Sequence, residues 1–155
     1  MSSLKVHNWW ILTLILVVGD QLTKFLILEQ LAQPKVIFPW FSLIQAHNPG
    51  VAFSFMAQGG LFTRILFSLI AFGAIVICII EILKHQTRTL YCFSVTLIMA
   101  GATGNLIDRV RLGTVTDFIA LHWQNHYFPA FNVADSCITL GAVLFFLVLT
   151  QQTKK

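Results

Sequence analysis

Charge is what this 155-residue sequence has least of. Only 10% of its residues are Asp, Glu, Lys or Arg and 57% are hydrophobic, whereas a soluble domain carries about 25% charged residues. A mean hydropathy of +0.79 excludes an ordinary soluble fold and places the chain in a membrane. The ten basic residues are scattered singly, with no stripe or cluster of the kind that tracks a phosphate backbone. The net charge of +4 therefore points to anionic lipid headgroups and not to nucleic acid. Cysteine is scarce as well: Cys78, Cys92 and Cys137 are odd in number, lie in apolar surroundings and have no CxxC or Cys/His spacing. They read as small buried hydrophobes. No small-residue cleavage site follows the first apolar run, so that run reads as a retained helix and not a cleaved leader.

What is present is four apolar stretches of membrane-spanning length, at about 9–28, 61–83, 90–108 and 133–150. Roughly twenty residues at 1.5 Å each cross a ~30 Å hydrocarbon core. The expected fold is therefore an all-α membrane protein of four transmembrane helices forming one polytopic domain over 1–155. Trp9 and Trp10 mark an interface belt, and Arg64 and Glu81 fit headgroup anchors at the ends of the second span. Ala100, Gly101 and Gly104 put small residues on the third, where another helix can approach closely.

Between the first two spans, Pro34, Pro39, Pro49, Gly50, Gly59 and Gly60 forbid a continuous helix. Val36–Phe38, Phe41–Ile44 and Val51–Phe55 are runs of strand length, and Asn48-Pro49-Gly50 predicts a hairpin turn between the last two. The expectation is a small extracytoplasmic β-sheet over about 36–55, lying on the bilayer or clasping an apolar ligand. Asn48 is equally a turn residue or a ligand-binding one. Between the last two spans Gly113 ends a helix, Thr114–Leu121 reads as extended or irregular, and His122–Ala130 as an aromatic, amphipathic surface segment. His122 and His126 stand four apart but lack a third ligand, so they read as interface histidines and no metal is expected.

The scarce polar chemistry is concentrated. Asn105, Asp108, Arg109, Asp117, Asn132 and Asp135 fall within about thirty residues, at the edges of strongly apolar segments where an ionised group has a partner and a task. Asn105, Asp108 and Arg109 share one helical face, as do Asn132 and Asp135. Asp20 and Lys24, four apart in the first span, also share a face. Spacing alone favours a snorkelling surface pair there over a polar wall turned toward the site. Two aspartates brought together at low dielectric share one proton, so one is a carboxylate and the other an acid. The carboxylate can take a proton from water while its partner protonates the carbonyl oxygen under attack. That is peptide hydrolysis with no metal, cofactor or covalent intermediate; Asn105, Asn132 and Arg109 would orient the acids and stabilise developing charge. On residues alone two rivals stand beside the hydrolase: a small proton-coupled transporter and a structural subunit whose polar groups join helices. A transporter would carry its acids nearer the midplane and show an internal repeat, and no repeat is evident.

The stretches that carry this chemistry are Asp20-Gln21-Leu22-Thr23-Lys24, Asn48-Pro49-Gly50-Val51-Ala52-Phe53, Gly104-Asn105-Leu106-Ile107-Asp108-Arg109, Gly113-Thr114-Val115-Thr116-Asp117-Phe118 and Phe131-Asn132-Val133-Ala134-Asp135-Ser136. In this order, across four spans, they make the whole chain resemble the lipoprotein signal peptidases (signal peptidase II). The resemblance implies an aspartyl endopeptidase of the bacterial inner membrane, cutting before the diacylglyceryl-modified cysteine of prolipoproteins and blocked by cyclic peptides such as globomycin. It places the catalytic dyad on Asp117 and Asp135. Asp20, Lys24, Asn48, Gly50, Asn105, Asp108, Arg109, Asn132 and Ala134 match the positions that line or support the pocket. It also implies a short amphipathic surface helix at about Leu121–Pro129, which together with the surface sheet at Val36–Phe55 closes over substrate.

Sidedness is less determined by composition. Four spans put both termini on one side, yet five basic residues flank each face. Lys24, Lys35, Arg64, Arg109 and Arg111 lie toward one face, and several of them sit beside acids, so they can be assigned to the site. The termini are then cytoplasmic, with Asp20, Asp117 and Asp135 near the outer face. The protein is expected to be a monomer with membrane lipids as neighbours.

Overall fold

The computed structural model describes residues 6–50, 60–124 and 126–152. It contains four long helices, α1 (Val6–Gln30), α2 (Leu61–Lys84), α3 (Thr89–Leu112) and α4 (Val133–Gln152), and a four-stranded sheet. All four helices are long and apolar enough to cross a membrane. They differ in what they face: α3 is mostly buried within the protein, whereas α1, α2 and α4 turn most of their surface outward. Leu14, Phe62 and Phe146, for example, are exposed, as side chains bathed in lipid must be. The bundle is thus α3 with the other three packed against it.

Small residues permit that arrangement. A Cβ on Gly101 would lie 2.2 Å from the Ala134 carbonyl oxygen, and one on Gly141 would lie 2.7 Å from that of Ser94. The α3–α4 seam is therefore backbone against backbone, the close approach that the small residues of the third span predict. One polar link joins α2 to α3 at the end remote from the sheet. Glu81 accepts from the Tyr91 hydroxyl and pairs with His85 at 3.2 Å, so it is engaged within the protein and is not a free headgroup anchor. α3 ends where Gly113 takes a left-handed conformation, φ 81°, and its N–H closes on the Arg109 carbonyl at 3.1 Å. Glycine adopts that conformation at no steric cost.

The sheet has the order β1 (Lys35–Phe38), β2 (Phe41–Asn48), β3 (Val115–Trp123) and β4 (His126–Tyr127), antiparallel throughout. The strands expected at Val36–Phe38 and Phe41–Ile44 are present, joined by a turn at Pro39-Trp40, and the second runs on to Asn48. The strand expected at Val51–Phe55 lies outside the described residues. Along its other edge β2 pairs with β3, which follows two helices later in the chain, with Ala46 opposite Asp117 and Asn48 opposite Val115. The register slips between Leu43 and Ala46. There Gln45 leaves the ladder and donates to the carbonyls of Ile27 and Leu31, both at 2.8 Å, closing the C-terminal end of α1.

The amphipathic helix expected over about 121–129 is not formed. The described residues there form the end of β3 and β4, with His122 paired to Tyr127 and Trp123 to His126, and Gln124 has φ 53°. The physical reason is an available edge. The His122 N–H donates to the Trp40 carbonyl at 3.0 Å and the Phe128 N–H to the Leu121 carbonyl at 2.9 Å. The aromatic composition of the segment suits a pleated surface as well as a helix, and the waiting strand decides between them.

Candidate active site

Every side chain of the predicted site lies at the junction of α1, α3, α4 and the sheet. Asp117 is the third residue of β3 and is buried. Asp135 stands in the first turn of α4 and is half-buried. Asn132 joins them. Its Nδ2 donates to Asp117 Oδ1 at 2.7 Å, its Oδ1 accepts the Asp135 N–H at 2.9 Å, and its own N–H reaches Asp135 Oδ2 at 3.3 Å. The last two bonds form a reciprocal capping box, with Asn132 as N-cap and Asp135 at the third helical position. Beginning the helix and aiming the acid are one set of contacts.

Two further amides complete the cradle. Asn48, the last residue of β2, donates to Asp117 Oδ2 at 2.9 Å, and its Oδ1 accepts the Gly50 N–H at 2.9 Å. Gly50 is needed twice over: its φ is +99°, and a Cβ there would lie 2.5 Å from the Phe67 ring. Asn105 on α3 donates to Asp135 Oδ1 at 2.7 Å. Both carboxylates thus receive amide donors on both oxygens, which steadies them without neutralising them.

Behind the amides lies a buried charge cluster. Lys24 Nζ contacts Asp20 Oδ2 at 2.9 Å, Asp108 Oδ2 at 3.1 Å and Asn105 Oδ1 at 3.1 Å. Asp20 also accepts the Ala134 N–H at 2.8 Å, and Asp108 the Thr116 N–H at 2.9 Å. At 1% and 2% exposure, Asp20 and Lys24 are not the snorkelling surface pair their spacing favours. They are the polar wall, turned inward because the acids and amides of α3 and α4 give each charge a partner that lipid cannot. The cluster ties α1, α3, β3 and α4 into the frame that holds both aspartates.

Burial sets the electrostatics of Asp117. Desolvation pushes its carboxyl up from an ordinary 3.8 to about 6; the Asp135 carboxylate adds to the rise, and the Asn48 and Asn132 donors and Lys24 oppose it. An acid poised near neutrality can hold or release a proton at working pH. Arg109 lies over the Phe67 ring, 5.5 Å from its centroid, and donates to the Asn105 carbonyl at 3.4 Å. Both Arg109 and Asp135 line an apolar cavity of about 300 Å³ between α2, α3 and α4 that also includes Ala74 and Ile138. On its other side Asp135 lines a second apolar cavity of about 420 Å³, with Phe128, Phe131 and Leu140. An acid that can polarise water therefore sits between two hydrocarbon-lined clefts.

The junction gathers all eleven residues singled out in the sequence, though Gly50 and Ala134 contribute backbone and close packing and not side-chain chemistry. His122 is drawn instead to Ser42, with Nε2 and Oγ 3.0 Å apart. Sequence reasoning missed three participants. Gln21 donates to Asp108 Oδ1 at 3.0 Å and to the Gly104 carbonyl at 3.1 Å; its place beside Asp20 was a signal. The Thr116 N–H and the Phe67 ring had none, since one is backbone and the other is one apolar residue among many on its helix.

Comparison with known proteins agrees with the geometry. Residues 12–151 match the family described as signal peptidase (SPase) II. The chain is 40% identical over 146 residues to the lipoprotein signal peptidase of Polynucleobacter necessarius subsp. necessarius (strain STIR1), covering 93% of this chain and 90% of that one. It is 44% identical over 153 residues to the lipoprotein signal peptidase of Pseudomonas fluorescens, covering 95% and 89%. A solved bacterial membrane enzyme superposes with a TM-score of 0.84 at 26% identity, covering 97% of this chain and 92% of the other. A second gives 0.82 at 28%, covering 95% of each. With its four membrane helices, its paired aspartates and these relatives, the chain belongs to the signal peptidase II family of aspartic-type peptidases.

Proposed function

We propose that the protein removes the signal peptide from diacylglyceryl-modified prolipoproteins, cutting before the lipidated cysteine, and that Asp117 and Asp135 are its catalytic dyad. The observation that carries this reading is Asn132 between the two carboxylates, its side-chain amide donating to Asp117 and its backbone N–H to Asp135. It fixes an acid near neutrality against a second carboxylate at the rim of the bundle. Asp135 takes a proton from water, and the hydroxide so formed attacks the scissile carbonyl carbon. The proton held by Asp117 passes to the carbonyl oxygen. Collapse of the tetrahedral intermediate returns that proton, breaks the C–N bond and protonates the departing amine through the acid formed on Asp135. No metal or cofactor enters the sequence of steps. Arg109 and the amides of Asn48 and Asn105 stabilise the charge that develops, while Asp20, Lys24, Asp108 and Ala134 hold the frame.

The two clefts beside Asp135 support the substrate class. A precursor with a membrane-spanning signal peptide and two acyl chains needs lateral access from the bilayer, apolar walls and a polar centre at headgroup depth. On this reading the chain is a monomer of the bacterial inner membrane with both termini cytoplasmic and the site near the periplasmic face. Cyclic peptides such as globomycin compete for the same clefts.

The test is gel-shift cleavage of a purified diacylglyceryl-modified prolipoprotein, with its unlipidated precursor alongside. Wild type should cut only the lipidated form. Asp117→Asn and Asp135→Asn should each abolish cutting while remaining membrane-inserted, and chelators should change nothing. Cleavage surviving in either variant removes the dyad, and equal cleavage of the unlipidated precursor removes the substrate class.

A further inference from the structure

Three side-chain amides donate to the two carboxylates, and an amide can do so only if its oxygen points away. A flipped amide would set its carbonyl oxygen against a carboxylate oxygen and turn attraction into repulsion. At each position a donor on the amide oxygen prevents the flip. For Asn48 it is the Gly50 N–H and for Asn132 the Asp135 N–H, both at 2.9 Å; both are backbone groups set by a turn and a helix start. For Asn105 it is Lys24, a side chain from another helix, with Nζ 3.1 Å from Oδ1. Asn132 Nδ2 also approaches Asn105 Oδ1, at 3.2 Å, but it is shared with Asp117 Oδ1 and the Thr116 carbonyl. An ammonium has three donors, and those of Lys24 meet three acceptors: one oxygen each from Asp20, Asp108 and Asn105. The two ion pairs aim the third N–H.

We propose that Lys24 is a positioning residue for the hydrolysis: by fixing the Asn105 amide in the one orientation that donates to Asp135, it sets the pH at which the dyad becomes competent. The proposal rests on the dyad reading above. Lys24 touches neither Asp117 nor Asp135 through any of its three contacts, so apart from its charge, which acts on Asp117 across space, its influence runs through the amide. The charged groups around Asp135 are Asp20 and Lys24 from α1, Asp108 and Arg109 from α3, and Asp117 from β3. A test must therefore separate the amide's orientation from the loss of a positive charge.

Removing Lys24 alone would leave two buried carboxylates facing each other, so the comparison is made within Asp108→Asn enzyme. There, Lys24→Met restores the cluster's original net charge of −1, counted as Asp20, Asp108 and Lys24 before and Asp20 alone after. Relative to Asp108→Asn itself, Lys24→Met should move the acidic limb of the kcat profile up by about one pH unit, the worth of one hydrogen bond to a charged group. KM should stay within about twofold, since the same amide contact serves bound and free enzyme alike. Lys24→Gln keeps a donor for Asn105 but no charge, and should return the limb toward its starting position. With Asn105→Ala also present, Met and Gln at position 24 should give the same limb, leaving only the loss of charge common to both. Equal profiles for Met and Gln would assign Lys24 a purely electrostatic role and overturn the proposal, as would a difference between Met and Gln that persists with Asn105→Ala. Asn105→Ala with Lys24 intact must shift the limb by itself. A failure there overturns the proposal even if the Lys24→Met chain cannot be recovered from membranes. Turnover surviving in Asp135→Asn would instead overturn the dyad, and is read separately.

Discussion

Replacing Asn132 with alanine removes three separable things. The first is the helix cap on α4, the bond from the Asp135 N–H to Oδ1, whose loss costs about 1 kcal/mol. The second is a donor to the buried Asp117 carboxylate at 2.7 Å, a hydrogen bond to a charged group of roughly 1.5–3 kcal/mol. The third is a partner for the Thr116 carbonyl at 3.2 Å. Asn132 is fully buried, so water does not replace these groups without rearrangement, and the stability loss should come to about 3 kcal/mol. The chemical effect has a definite sign. A donor to a carboxylate favours its ionised form, so losing it drives the Asp117 carboxyl further above its present value near 6 and frees the acid from Asp135. The loss in kcat at neutral pH should be about a hundredfold or more, as for removal of one preorganised donor. Asn132→Ser separates the parts, because a serine hydroxyl still accepts the Asp135 N–H as an N-cap but is too short to donate to Asp117. Thermal unfolding in detergent should show Ser recovering about 1 kcal/mol over Ala, while gel-shift turnover stays as low as in Ala. Wild-type kcat in Asn132→Ser would refute the idea that this amide couples the acids. Equal instability of the two variants would refute the cap.

Two further outcomes follow from the same geometry. Between the ordinary carboxylate value of 3.8 and about 6, folded Asp117 holds a proton that the unfolded chain has released. Its contribution to stability is therefore present below that window and declines as pH rises through it. Unfolding midpoints measured from pH 4 to 7 should fall less steeply in Asp117→Asn than in wild type, and identical slopes would show that the carboxyl is not perturbed. A Cβ at Gly104 would lie 2.5 Å from Asp20 Oδ2 and 3.3 Å from the Ala134 Cβ, whereas one at Gly73 meets nothing within 4 Å. Gly104→Ala should lose about 1–3 kcal/mol through overpacking and lose turnover with it, while Gly73→Ala should do neither; matching behaviour would contradict the packing of Asp20 against α3.

How much was legible in the sequence depended on what each signal needed. The four spans required only composition and length. The candidate aspartates and the amides around them are legible because polar residues in a hydrocarbon-rich chain are conspicuous wherever they stand. Asp20 and Lys24 were visible, but their i,i+4 spacing is the same whether the pair faces water or a buried site; only the partners on α3 and α4 decide it. The 121–129 segment, expected as a helix, forms strand pairing instead for a related reason. Its aromatic residues satisfy either geometry, and what selects a strand is the Trp40 carbonyl on a distant turn, which no local window contains. The pairing of β2 with β3 is equally non-local, although it is what brings Asn48 to Asp117.

The placement of these bonds has a consequence for how such a site can vary. In the membrane the helices gain no hydrophobic advantage from meeting one another, so close packing and polar contacts must hold them together. Here the polar contacts that join α1 to α3 and α4 are the same ones that frame the two aspartates: Lys24 to Asn105 and Asp108, and Asp20 to the Ala134 N–H. A substitution that loosens the bundle at this end therefore misaligns the acids as well, and stability and turnover should fall together. At the opposite end, where Glu81, His85 and Tyr91 join α2 to α3, the chemistry is remote, and losing a contact there should cost stability alone. The site can be carried by so small and apolar a chain because its few polar groups each serve both ends, and for the same reason none of them is free to change for one purpose without affecting the other.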